Sequence, residues 1–199
     1  MAKKRGKKFE LIIDAAVKVI AENGYHNSQV SKIAKEAGVA DGTIYLYFKN
    51  KEDILISLFE EKMGSFVQKI SEQINGSMSV EEKLFVLIEM HLKNLADDHY
   101  MAIVTQLELR QSNLALRTRI NEVLKGYLRL IDSILAEGAE TSYFSEDIDI
   151  RLARQIIFGA IDEVVTNWVM KDHKFDLVSS AAPLHRMLLN GLKKTSAAE

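Results

Sequence analysis

Apolar residues recur at helical spacing along almost the whole chain, separated by short polar breaks. Phe9, Ile12, Ile13, Ala16, Val17 and Ile20 form one stripe, which predicts a helix over 7–23 closed by Asn23-Gly24. Val30, Ile33, Ala34 and Ala37 form a shorter stripe, with Ser28 placed to cap it and Gly38 to end it through a positive φ. A third short helix runs from Ala40 to about Tyr47, with Ile44 and Phe48 one turn apart on its inner side. Asn50 is placed to cap a long helix carrying Ile54, Leu55, Leu58, Phe59, Phe66, Ile70 and Ile74, in which Gly64 marks a candidate bend. Ser79 and Glu82 have the spacing of a capping box, and Val80, Leu84, Leu87, Ile88, His91, Leu92 and Leu95 carry the next helix to about Ala96. Helices over 101–111, 114–137, 149–170 and 176–193 follow, with Gly138 and 141–147 as a polar loop. No alternating strand pattern and no internal repeat competes, so the fold class is all-α, with about nine helices.

The second and third helices, joined by a turn bearing Gly38, have the form of a helix-turn-helix, whose second helix can lie in a DNA major groove. Opposite Ile44 and Phe48 stand Gly42, Thr43 and Leu46, flanked by Tyr45 and Tyr47, where a solvated helix would favour Lys and Glu. Gly42 permits close backbone approach, Thr43 offers a hydroxyl and a methyl, and Leu46 offers an apolar contact for a thymine methyl. The tyrosine hydroxyls and Lys51 can reach phosphates. The expected DNA-contact set is therefore Ser28, Gly42, Thr43, Tyr45, Leu46, Tyr47 and Lys51. The alternative is a small helical subdomain whose tyrosines only pack.

Ile33-Ala34, Ala37-Gly38-Val39, Gly42-Thr43-Ile44-Tyr45, Tyr47-Phe48 and Lys51 resemble the signature of the TetR family of bacterial transcriptional repressors. The resemblance covers about 45 residues of the N-terminus. It implies a three-helix DNA-binding head over 1–51 and a helical effector-binding and dimerisation domain over 52–199. It also implies that the helix starting at Asn50 transmits effector binding to the head.

Charge agrees with that division. The chain is −2 overall, yet residues 1–51 hold ten Lys/Arg against five Asp/Glu, and the remainder sixteen against twenty-three. The basic start, 1–8, is either a solvated tail or an arm along the phosphate backbone. Glu10, Asp14 and Lys18 interrupt the apolar run that a secretory signal would need, and no eighteen-residue uncharged apolar segment follows, so a cytoplasmic protein without a membrane span is expected. The absence of Cys excludes a disulfide framework, a thiol nucleophile and a zinc–thiolate site. Asp97-Asp98-His99 reads as a loop and cap rather than a metal site, and no catalytic arrangement and no cofactor is expected.

The last two helices are unusually apolar, and Gly159-Ala160 allows close helix approach. A homodimer through these helices is expected, since a helix-turn-helix repressor needs two heads about one DNA turn apart. Asp162 and Glu163 interrupt the apolar run and are expected to face solvent or pair with Arg154 or Arg186.

Gln106 to Gln111, with Arg117, Arg119 and Lys125, forms either a solvated face or a cationic rim for a phosphate-bearing ligand. The stretches 104–113, 151–163 and 168–172 are similar to the branch of the TetR family that regulates fatty-acid degradation. That resemblance implies repression of β-oxidation genes and release from operator DNA on binding a long-chain acyl-CoA as effector. Phe66, Gln106, Arg110, Arg117, Tyr127 and Trp168 are the side chains assigned to the effector. Two alternatives stand beside this reading: a repressor answering another apolar compound, and an acyl-CoA-binding carrier or enzyme.

Overall fold

Local sequence accounts for most of the helix limits in a computed structural model, which describes residues 6–145 and 147–193. Nine α-helices and one 3-10 turn are present among these residues, and the single bridge, Phe144 to Lys193, belongs to no strand. They are α1 (Lys7–Asn23), α2 (Val30–Glu36), α3 (Asp41–Ile44), α4 (Lys51–Gln73), α5 (Val80–Asp97), α6 (His99–Glu108), α7 (Leu114–Glu140), α8 (Ile150–Met170) and α9 (Ala181–Leu192). Most of the basic arm expected at the start lies outside the described residues.

The polar caps explain several starts. Asn50 Oδ1 accepts the Asp53 N–H at 2.8 Å, and Asp53 Oδ2 returns to the Lys49 N–H at 3.1 Å, so α4 opens on a reciprocal cap. Ser79 and Glu82 form their capping box in full, at 2.7 and 3.2 Å. Asp98 caps α6 through the Met101 N–H at 2.9 Å, which is the cap role expected for the 97–99 trio. Asp149 does the same for α8 through Leu152.

Two ends differ from expectation for tertiary reasons. α7 runs through Gly138 to Glu140 because the Phe144 ring folds back onto the glycine; a Cβ there would lie 2.1 Å from the ring. Val178–Ser180 form a 3-10 turn before α9, with Asp176 Oδ1 accepting the Val178 N–H. Helix α4 is continuous across Gly64.

The chain divides into two compact units, Met1–Gly64 with Asp98–Val123, and Ser65–Asp97 with Leu124–Glu199. In unit 1, α1 packs on α2 and α6, and α2 on α3. Phe9, Ile12, Ile13, Ala16, Val17, Ile20, Ile33, Ile44, Phe48, Ile54, Leu55, Leu58 and Phe59 are buried, as their spacing predicts. In unit 2, α5 packs on α8 and α9, and its face from Val80 to Leu95 is buried.

Candidate nucleic-acid interface and polar interior

Residues 28–48 build the helix-turn-helix from the inside. Gly38 (φ 66°) ends α2 with its N–H on Lys35 O and the Val39 N–H on Ala34 O, the double bond pattern that only a left-handed residue closes easily. The structure corrects the role of Ser28. Gln29 is the N-cap of α2, and no side chain closes it. Ser28 is 1% exposed, with its hydroxyl 2.8 Å from Gly24 O and 3.1 Å from Val19 O. It ties the end of α1 to the start of α2.

Helix α3 is shorter than expected, because after Ile44 the backbone tightens: the N–H groups of Leu46 and Tyr47 reach back three residues. The turn still places the expected face outward. Leu46 is 77% exposed, Tyr45 59%, and nothing lies within 4 Å of a Cβ at Gly42. Thr43 is half-buried. Tyr47 is divided, since its ring lies against Phe9 and Phe48 at 6.5 and 6.3 Å.

Lys51 is engaged within the protein. Its Nζ donates to Tyr25 O and His26 O, each at 3.0 Å, and stands 4.6 Å above the Tyr25 ring. The lysine therefore holds the turn after α1, so its charge is not simply offered to phosphate. The other side of the same turn is held by α6. Glu108 Oε1 accepts the Tyr25 N–H at 2.8 Å, and Gln111 Nε2 donates to Glu108 Oε2 at 2.5 Å. Burial first, then Glu52 and Glu108, push the Tyr25 hydroxyl pKa up to about 12. Arg119 Nη2 lies 3.8 Å from Asp53 Oδ1, the carboxylate that also caps α4.

The sequence places Glu108 in a stretch that is either a solvated face or a cationic rim. It continues the buried stripe of Met101, Val104 and Thr105 instead, and its i+3/i+4 register was the signal available. Gln106 is also buried, while Arg110 and Arg117 are exposed.

Unit 2 contains a polar pair inside an aromatic cluster. His91 Nδ1 and Tyr127 Oη share a hydrogen bond of 2.7 Å. Phe66 stands edge-on to His91 at 5.1 Å and tilted to Tyr127 at 5.5 Å, and Phe158 contacts Tyr127 at 6.1 Å. Burial pushes the His91 pKa from 6.5 to about 3, so the imidazole is neutral. Burial first, and Asp162 second, hold the Tyr127 hydroxyl protonated. Phe66 and Tyr127 are thus brought together in one aromatic cluster. Trp168 has other partners: its Nε1 donates to Phe175 O at 2.8 Å, and its ring meets His173.

Of the two placements expected for Asp162 and Glu163, solvent or an arginine partner, the second does not involve Arg154, whose guanidinium binds Asp132 at 2.7 Å. Glu163 is exposed and accepts from Asn167 Nδ2, whereas Asp162 is buried. Along α8 and α9, Leu152, Ile156 and Met187 are 53%, 54% and 75% exposed. With Ile148, Leu188 and Gly191 they line a groove of about 250 Å³. Among the described residues, no His, Cys, Asp and Glu cluster could hold a metal ion, and no helix is long and apolar enough to cross a membrane.

Comparison with known proteins meets this geometry at both ends of the chain. Residues 12–58 match the family model described as bacterial regulatory proteins, tetR family, and 59–191 match that of the YsiA-like protein C-terminal region. The chain is 61% identical over 190 residues to the fatty acid metabolism regulator protein of Bacillus subtilis, covering 96% of this chain and 98% of the relative. The solved fatty acid degradation regulator FadR of Bacillus halodurans is 66% identical, with a TM-score of 0.90 over 93% of this chain and all of that one. FadR of B. subtilis in complex with stearoyl-CoA is 62% identical, with a TM-score of 0.90 over 92% of this chain and 99% of that one.

Proposed function

The chain belongs to the tetR family of bacterial regulatory proteins, and on that premise we propose that it represses fatty-acid degradation genes and leaves its operator on binding a long-chain acyl-CoA. The observation that carries this reading is the near-full-length match to a solved regulator holding stearoyl-CoA. Residues 1–51 read DNA, and 52–199 bind the effector and form the dimer. Gly42, Thr43 and Leu46 meet the bases, and the Tyr45 and Tyr47 hydroxyls meet phosphates. Ser28 and Lys51 position the head.

The exposed apolar side chains of α8 and α9 support a homodimer, which sets two heads at operator spacing. Phe66, Tyr127 and Trp168 are the side chains assigned to an acyl chain, and Gln106, Arg110 and Arg117 those assigned to its phosphate-bearing part. Burying a long acyl chain at ~0.8 kcal/mol per methylene supplies on the order of ten kcal/mol gross, of which only the difference between two protein states drives release. The protein is a cytoplasmic binding protein rather than an enzyme. The membership in a family of regulators supports this reading.

The test is a mobility shift with a duplex selected by the purified protein from a random pool. Stearoyl-CoA, stearate and CoA are added separately. Release by stearoyl-CoA alone is the expected result. Release by stearate alone, or by neither compound, overturns the effector assignment, and hydrolysis of stearoyl-CoA by the pure protein revives an enzyme.

A further inference from the structure

The turn that joins α1 to α2 is gripped from two sides, and only one grip comes from the head itself. Lys51, at the start of α4, donates to the carbonyls of Tyr25 and His26. Glu108, at the end of α6, accepts the N–H of Tyr25. The two grips are chemically opposite, a cation on the carbonyls and a carboxylate on the amide, so together they hold the successive peptide planes on either side of the Tyr25 Cα. Gly24 precedes this turn with φ 73°, a left-handed conformation that favours glycine, and a Cβ there would meet Glu108 Oε1 at an ordinary contact distance of 3.9 Å.

Glu108 is itself fixed. It is buried, and its second oxygen is bound by Gln111. A buried carboxylate holding two donors has a defined position, so a displacement of the α6 end is passed to the Tyr25 amide rather than absorbed. Gln106 and Glu108 are two residues apart in α6 and project from opposite sides of the helix. The segment that carries Gln106 and Arg110, assigned above to the effector, thus carries the head contact as well.

We infer that Glu108 is the positioning residue that couples effector binding to the DNA-reading head, through its hydrogen bond to the Tyr25 amide. The inference rests on the proposed effector response. It adds a path through α6 and the α1–α2 turn, distinct from the helix after Asn50.

The experiment uses the full chain, the selected duplex and stearoyl-CoA. The coupling factor is the duplex Kd with saturating stearoyl-CoA divided by the Kd without it. In Glu108→Ala the factor is expected to fall by about tenfold toward one, while stearoyl-CoA affinity of the DNA-free protein stays within about threefold of wild type. Glu108→Gln, which keeps an acceptor for the amide, is expected to retain most of the coupling. A factor equal to that of wild type in Glu108→Ala overturns the inference and leaves the repressor reading intact. A wild-type factor of one overturns both. Should Glu108→Ala lose its cooperative melting, Gln111→Ala is measured instead, with an expected fall of about threefold; an unchanged factor there also overturns the inference.

Discussion

The outer face of α3 and the groove of α8 and α9 both leave large apolar side chains in solvent, yet their surroundings differ. In the turn that follows α3, Leu46 stands among hydroxyl-bearing neighbours, Thr43, Tyr45 and Tyr47, with open space over Gly42. Leu152, Ile156, Met187 and Leu188 instead line a groove whose only charged member among the described residues, Asp149, is occupied in capping α8. An isolated apolar residue among donors suits a duplex, where one methyl contact accompanies many polar ones. A continuous apolar groove suits a second apolar surface. The chemistry around an exposed side chain therefore distinguishes its partner better than its exposure does.

The groove offers the strongest way to break this contrast. Ile156→Glu with Met187→Glu places charges where the proposed partner copy packs, and in a two-fold interface each substitution counts twice. Each lost side chain removes roughly 1.5–3 kcal/mol of burial, so duplex affinity is expected to fall by at least about a hundredfold, and sedimentation should report monomers. A dimer that persists would detach the groove from assembly.

Acid separates the interior of unit 2 from the head. His91 is neutral in the fold with a pKa of about 3, whereas the unfolded chain takes up its proton near pH 6.5. The contribution of the neutral imidazole is therefore whole above pH 6.5 and is lost progressively as pH falls toward 3. From pH 7 to 5 the loss is about 2 kcal/mol, seen as a lower melting temperature that His91→Gln flattens. An equal pH response in wild type and variant would remove His91 as the cause.

In the turn after α3, Leu46→Ala should weaken the selected duplex by about tenfold while leaving the dimer and its melting temperature unchanged. Thr43→Ala should relax preference at one base position by ~1–2 kcal/mol, read by repeating the selection with the variant. Unaltered affinity and preference in both variants would show that this face does not read bases. Lys51→Ala gives the smallest effect on binding. Losing its two carbonyl contacts costs about 1–2 kcal/mol of head stability, but the salt dependence of duplex affinity should keep its slope. A slope reduced by about one would return Lys51 to the phosphate backbone.

Legibility followed the range of the interaction. The apolar stripes, the Asn50 cap, the Ser79–Glu82 box and the Gly38 turn depend on residues within a few positions of one another, and each formed as the spacing predicts. Ser28 and Asn50 both looked like caps. Asn50 is one, but the Ser28 hydroxyl is claimed by Val19 and Gly24 of the preceding helix. Lys51 reads locally as a free cation at a helix start, yet its partners lie 25 and 26 residues earlier. Glu108 meets Tyr25 across 83 positions, and Phe144 covers Gly138 from beyond the helix end. Such pairings depend on how helices pack, which periodicity along one helix does not encode.

The central claim is that one protein couples two bindings, and linkage gives it a direct measurement. The Kd of the selected duplex is determined with and without stearoyl-CoA, and the Kd of stearoyl-CoA with and without the duplex. Both are expected to rise on adding the other ligand, by the same factor of about ten or more. Two independent bindings, with a factor of one in both directions, would contradict it.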